Sequence, residues 1–165
     1  MGRKEKTMKT LVLGLGNDLY GDDGVGLHVI RQIQRNPQIQ KDFVGCSEDV
    51  HFQECSLSGL SLLDVIIGYE RLIIIDTIKK SDPIPGKVTT LKERDLRSIP
   101  GPSPHYVSVP QAIEIGRYIG ERVPSQIDII AVEAKNLYHL GEGLTEEMTK
   151  AIPEIIQKLK DLLVQ

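Results

Sequence analysis

Two short runs decide what this chain can fold into. Leu72-Ile73-Ile74-Ile75 and Ile127-Asp128-Ile129-Ile130-Ala131-Val132 are almost uninterrupted in apolar and β-branched residues. A strand with one wet face alternates apolar and polar side chains, whereas a run without alternation belongs to a central strand covered on both faces. Three further strand-like runs, at 10–13, 50–53 and 87–91, are separated from these mostly by helical patterns. The alternation predicts an α/β fold: a single-domain three-layer sandwich, with a mostly parallel mixed five-stranded sheet and helices on both faces. The run at 87–91 follows the turn-rich Ser81-Asp82-Pro83-Ile84-Pro85-Gly86, too short for a crossover helix, so this strand is expected to be antiparallel.

The helices follow from apolar spacing. The first should start near Asp23 or Gly24 and bury Val25, Val29, Ile30 and Ile33. A second spans about 58–67. A third begins near Ser108, where Ser108 and Gln111 match a capping box and Pro110 falls in the first turn, which leaves His105 in the preceding loop. The last begins near Thr145, with Met148, Ile152, Ile155, Leu159 and Leu162 on one face.

A chain of 165 residues suits one domain, expected over 9–165, with 1–8 as a flexible tail. The net charge of −3 offers no broad basic field, so nucleic acid is not an expected partner. No run reaches the roughly 18 apolar residues that a membrane span needs, and the N-terminus lacks an apolar signal core, so a cytoplasmic location away from membranes is expected. Cys46 and Cys55 form no CxxC pair and read as ordinary reduced thiols. A thiol nucleophile paired with His51 is the alternative.

The chemistry concentrates in one loop, Gly14-Leu15-Gly16-Asn17-Asp18-Leu19-Tyr20-Gly21-Asp22-Asp23-Gly24-Val25-Gly26, set between the first strand and the first helix. A dinucleotide fingerprint requires a third glycine where this chain has Leu19, and Asp22 and Asp23 would repel a pyrophosphate at the helix start. Carboxylates there suit a cation instead. Asp76, after 72–75, should emerge at the same carboxyl edge of the sheet, where open α/β sheets bind their ligands. His105 could complete a mixed oxygen and nitrogen set suited to zinc or a divalent transition metal. The plain alternatives are a helix cap for Asp23, a turn residue for Asp76 and a solvated loop residue for His105. Glu54, following the second strand, is a further candidate for the crevice. His28, His51 and His139 have no evident partner.

Gly14-Leu15-Gly16-Asn17 with Asp22-Asp23-Gly24-Val25-Gly26, then Ile74-Ile75-Asp76, Ser103-Pro104-His105, Glu133 and the helix over 144–155 resemble the hydrogenase maturation endopeptidases across 9–163. The resemblance implies that fold and an enzyme that removes a C-terminal extension from the nickel-loaded precursor of a nickel-iron hydrogenase large subunit. It implies aspartyl-type chemistry that activates another enzyme. It also implies metal contacts through Asp23, Asp76 and His105, with Asp23 and Asp76 catalytic. Nickel would be held in the precursor, with zinc or cadmium able to stand in for it, and a monomer is the favoured state. Asp22 or Glu54 could act as general base. Family members often carry Glu at the Asp23 position, and an Asp-Gly-Gly-Thr-x-Gly-like turn where this chain has Glu54-Cys55-Ser56-Leu57-Ser58-Gly59. The competing readings are a non-catalytic metal-binding module and a nucleotide- or phosphate-binding module.

Overall fold

In the computed structural model, the runs without alternation lie where both faces are covered. The structure describes residues 7–46, 49–57, 60–98, 104–135, 137, 139–141 and 143–165, with the side chains of 96–98 and 104–108 set aside. Strands β1 (Thr10–Leu15), β2 (Val50–Cys55), β3 (Arg71–Ile78), β4 (Val88–Lys92) and β5 (Gln126–Glu133) form one sheet in the order β2-β1-β3-β5-β4. Every residue of β1 and β3 is buried, while β2, on the edge, is largely half-exposed. All neighbours pair in parallel except β4, which runs antiparallel to β5.

Helices α1 (Val25–Arg35), α2 (Pro37–Phe43), α3 (Ser61–Ile66), α4 (Pro104–Tyr118) and α5 (Glu146–Leu163) cover the sheet. The period of two along β3 divides the core cleanly. Ile73 and Ile75 face the α1 and α5 side with Val25, Val29, Ile30, Ile33, Ile155 and Leu159. Leu72, Ile74 and Ile78 face the α3 and α4 side with Leu62, Ile66, Val109 and Ile113. The buried stripe expected for α1 and the apolar face expected for α5 are both present.

Three features differ from the sequence expectation. β3 does not stop at residue 75 but runs to Ile78, because β5 continues pairing with it through Ile78↔Glu133; Asp76 therefore lies inside a strand. α4 starts at Pro104, so His105 belongs to its first turn and Pro110 to its interior. α2 was not expected at all, although Asn36-Pro37 signals it: the Asn36 side chain accepts from Gln38 N at 3.0 Å and Ile39 N at 3.4 Å. The helix expected from residue 58 is described from Ser61; Ser58 and residues 1–6 of the expected tail lie outside the described residues.

The strand order fixes where a site can form. From β1 the chain moves to β2 on one side, and from β2 it passes to β3 on the other, so the order reverses between β1 and β3. The loops leaving the carboxyl ends of these two strands diverge there and open a crevice.

Candidate active site at the carboxyl edge of the sheet

The chain after β1 must fold back sharply to bring a helix onto the sheet. Gly16 makes this possible: it has φ +152°, and a side chain there would meet the Asp23 carbonyl at 1.9 Å. Gly26, in the first turn of α1, lies so close to the sheet that an added Cβ would be 2.4 Å from the Ile75 carbonyl. Between them, Gly21–Gly24 forms a single 3-10 turn that buries Asp22 and Asp23 at 6% and 8% exposure. Gly16 and Gly26 thus serve the close backbone approach that folds the acidic loop and α1 onto the sheet.

The two adjacent carboxylates point to different tasks. Asp22 Oδ1 accepts from Thr145 N at 2.8 Å and from Thr145 Oγ1 at 3.1 Å, and Oδ2 accepts from the same hydroxyl at 3.0 Å. Thr145 is the residue before α5, so Asp22 ties the loop to the start of that helix. Asp23 turns toward β3, where its Oδ1 accepts from Thr77 Oγ1 at 3.2 Å. Thr77 N donates in turn to Asp76 Oδ1 at 2.7 Å. Asp76 and Thr77 are both fully buried. Alternation along β3 puts Asp76 on the α4 face and Thr77 on the α1 face. Asp23 and Asp76 therefore meet Thr77 from opposite faces of one strand, near its carboxyl end.

His105 occupies the first turn of α4, the helix packed on the face that carries Asp76. Its side chain lies outside the described residues. Among the described residues no group of three His, Cys, Asp or Glu is close enough to hold a metal ion.

Beside this pair, α1 contributes a cation. Arg31 donates through Nε to Glu54 Oε2 at 2.8 Å and through a terminal nitrogen to Asp18 Oδ2 at 2.7 Å. These two carboxylates push the guanidinium still further above its usual range. His28 Nε2 stands 3.9 Å from Asp18 Oδ1. Asn17, Asp18, Arg31, Glu54, Cys55 and Ser56 line a cavity of about 240 Å³ at the carboxyl ends of β1 and β2. Glu54 thus lines a cavity at the β1–β2 end of this edge, where it is engaged by Arg31.

The thiol alternative finds no support in the geometry. Burial pushes the Cys55 thiol up, against the opposing Leu57 N–H. His51, at the other end of β2, pairs with Asp49 at 2.7 Å. A raised thiol without a base is a poor nucleophile. The larger cavity, about 520 Å³, lies at the amino ends of β3 and β5 around a buried Arg71–Asp128 pair at 2.9 Å, which Lys92 also joins. It is on the wrong edge of the sheet for the carboxylates above.

Sequence reading missed Thr77, Arg31, Asp18 and Thr145. Thr77 is visible in retrospect as the hydroxyl that interrupts an otherwise apolar column, and Arg31 as a charge three residues after His28 on the polar face of α1. Asp18 and Thr145 carry no such signal, since their partners depend on tertiary contact.

Fold and site together define a three-layer α/β protein with a carboxylate-lined crevice at its switch point, a setting for hydrolysis or for handling a cation. The chain belongs to the hydrogenase maturation protease (HycI) family, whose model matches residues 27–161, a span that contains Asp76 and His105. It is accordingly a peptidase. It is 24% identical over 159 residues to the hydrogenase 2 maturation protease of Escherichia coli K12, covering 93% of this chain and 92% of that protein. It is 25% identical over 147 residues to the protein FrxA of Pyrococcus furiosus, covering 87% and 96%. The fold matches that of the hydrogenase maturating endopeptidase HybD from E. coli with a TM-score of 0.77 at 23% identity, over 94% of this chain and 92% of the other. It also matches the [NiFe] hydrogenase maturation protease HybD from Thermococcus kodakarensis with a TM-score of 0.72 at 24% identity, over 94% and 99%.

Proposed function

We propose that this peptidase cuts a C-terminal extension from the nickel-loaded precursor of a nickel-iron hydrogenase large subunit, working as a monomer in the cytoplasm. The feature that supports the reading is a pair of buried carboxylates, Asp23 and Asp76, that both accept hydrogen bonds from Thr77 near the carboxyl end of β3. Two buried carboxylates joined through Thr77, at a family protease's switch point, suit a cation presented by a protein substrate. Asp23, Asp76 and His105 contact the nickel that the precursor already holds, and this docks the scissile peptide at the crevice. Zinc or cadmium can take the place of nickel on the same oxygen and nitrogen donors.

The bond is broken by water, since the Cys55 thiol, pushed up by burial, is a poor nucleophile. Asp23 and Asp76 orient the reacting groups, and a carboxylate takes the proton from the attacking water. Glu54, held by Arg31, is one candidate for that role. Asp22 is already engaged through both oxygens with Thr145.

The reading is tested by replacing Asp76 and His105 separately with Ala and following the mass of the large subunit of nickel-loaded precursor. Each variant should lose cleavage by at least about 100-fold, the scale of losing an interaction made in the transition state, while keeping the fold by circular dichroism. Full activity in both variants would remove the site assignment.

A further inference from the structure

Along β3 the side chains facing α1 run Ile73, Ile75, Thr77, and those facing α4 run Leu72, Ile74, Asp76, Ile78. A polar group breaks each column at the same level of the sheet. For Asp76 the proposed function supplies a reason. For Thr77 it does not: the residue is fully buried, and valine, of the same shape, would fill the position without burying a hydroxyl. The hydroxyl nonetheless stands here, and its partner is Asp23, which belongs to another element 54 residues earlier.

We propose that Thr77 is a positioning residue for the cation-facing carboxylates. A β-branched side chain in a central strand has little freedom about χ1, so its hydroxyl is held in one direction. By donating to Asp23 Oδ1 it orients that carboxylate and selects which lone pairs face the crevice. Its amide does the same for Asp76 Oδ1, so one rigid residue sets both acids at a fixed relation. The loop carrying Asp23 has no regular pairing with β3, and Thr77 gives it that registration.

This inference rests on the site reading above, and the test separates the two. Thr77→Val removes the hydroxyl and keeps the shape; Thr77→Ser keeps the hydroxyl and loses a methyl group. Cd²⁺ affinity is read by calorimetry on the purified chain, kcat and KM on nickel-loaded precursor, and Tm by circular dichroism. Thr77→Val should hold its Tm while Cd²⁺ affinity and kcat fall by about 10- to 100-fold, the range for partners of metal ligands. Thr77→Ser should lower Tm yet keep affinity and kcat within about threefold of wild type, because the hydroxyl is retained. Thr77→Val matching wild type in both readouts, or Thr77→Ser failing as badly as Thr77→Val, would overturn the inference. Asp76→Ala serves as the control: if it cuts and binds like wild type, the site reading falls and this inference with it. If only the Thr77 variants behave like wild type, the site stands and Thr77 is a packing residue.

Discussion

Asp22 and Thr145 are 123 positions apart in sequence, yet the Asp22 carboxylate receives both the amide and the hydroxyl of Thr145. The acidic loop after β1 is thereby fastened to the start of α5, which packs on the same face of the sheet as α1. The neighbour Asp23 is left facing β3. Two adjacent aspartates of one 3-10 turn thus divide, Asp22 holding the start of α5 and Asp23 meeting Thr77 of β3.

From this division comes a prediction about Asp22. Asp22→Ala removes the acceptor of two part-buried Thr145 donors, which water can then reach, and should cost about 0.5–1.5 kcal/mol in urea unfolding. Asp22→Asn keeps an oxygen for Thr145 N and should retain cleavage within about tenfold, because no proton transfer is assigned to Asp22. A loss of cleavage in Asp22→Asn as complete as in Asp76→Ala, with stability intact, would make Asp22 the base.

Gly16 is predicted to tolerate no side chain. The Asp23 carbonyl stands 1.9 Å from where a Cβ would be, and φ is +152°. Gly16→Ala should destabilise by at least about 2 kcal/mol, through backbone strain and displacement of the turn. Because the displaced residue is Asp23, cleavage should fall further than the stability loss explains. Chemical denaturation together with a cleavage assay below the Tm checks both.

Glu133, 1% exposed, gives a pH signature at the carboxyl end of β5. Burial by itself would raise its carboxyl, but Lys80 Nζ at 2.7 Å and Ile84 N at 2.9 Å outweigh this and hold it below its ordinary value of 4.5. A group lowered in the folded state stabilises above its unfolded value. That stability is full at neutral pH and is lost as pH falls below 4.5 through the folded value. Glu133→Gln should cost about 1–3 kcal/mol at pH 7, the scale of hydrogen bonds to a charged group, and its stability should converge with wild type in acid. Parallel pH dependence of the two would contradict the assignment.

The layers, the antiparallel β4 and the buried faces of α1 and α5 were legible because each rests on periodicity, a local property of the chain. The place of Asp23 and Asp76 near the carboxyl ends of β1 and β3 was legible because that edge of the sheet is a consequence of topology. The extent of β3 was not, since its last residues are held in the strand by pairing with β5, as far as Ile78↔Glu133. The start of α4 was misplaced for a related reason: Ser108 and Gln111 match a cap, but Pro104 also suits a first helical position and the helix takes the earlier start. The links that organise the site, Thr77 to Asp23, Arg31 to Glu54 and Asp22 to Thr145, join residues 23 to 123 positions apart. No local pattern encodes them.

The proposed function makes nickel carried by the precursor the feature that the acidic site recognises. The most direct measurement mixes the purified chain with nickel-loaded and nickel-free large-subunit precursor and follows the mass of the large subunit with time. The C-terminal extension should be lost from the nickel-loaded form alone. Equal cleavage of both forms would contradict it.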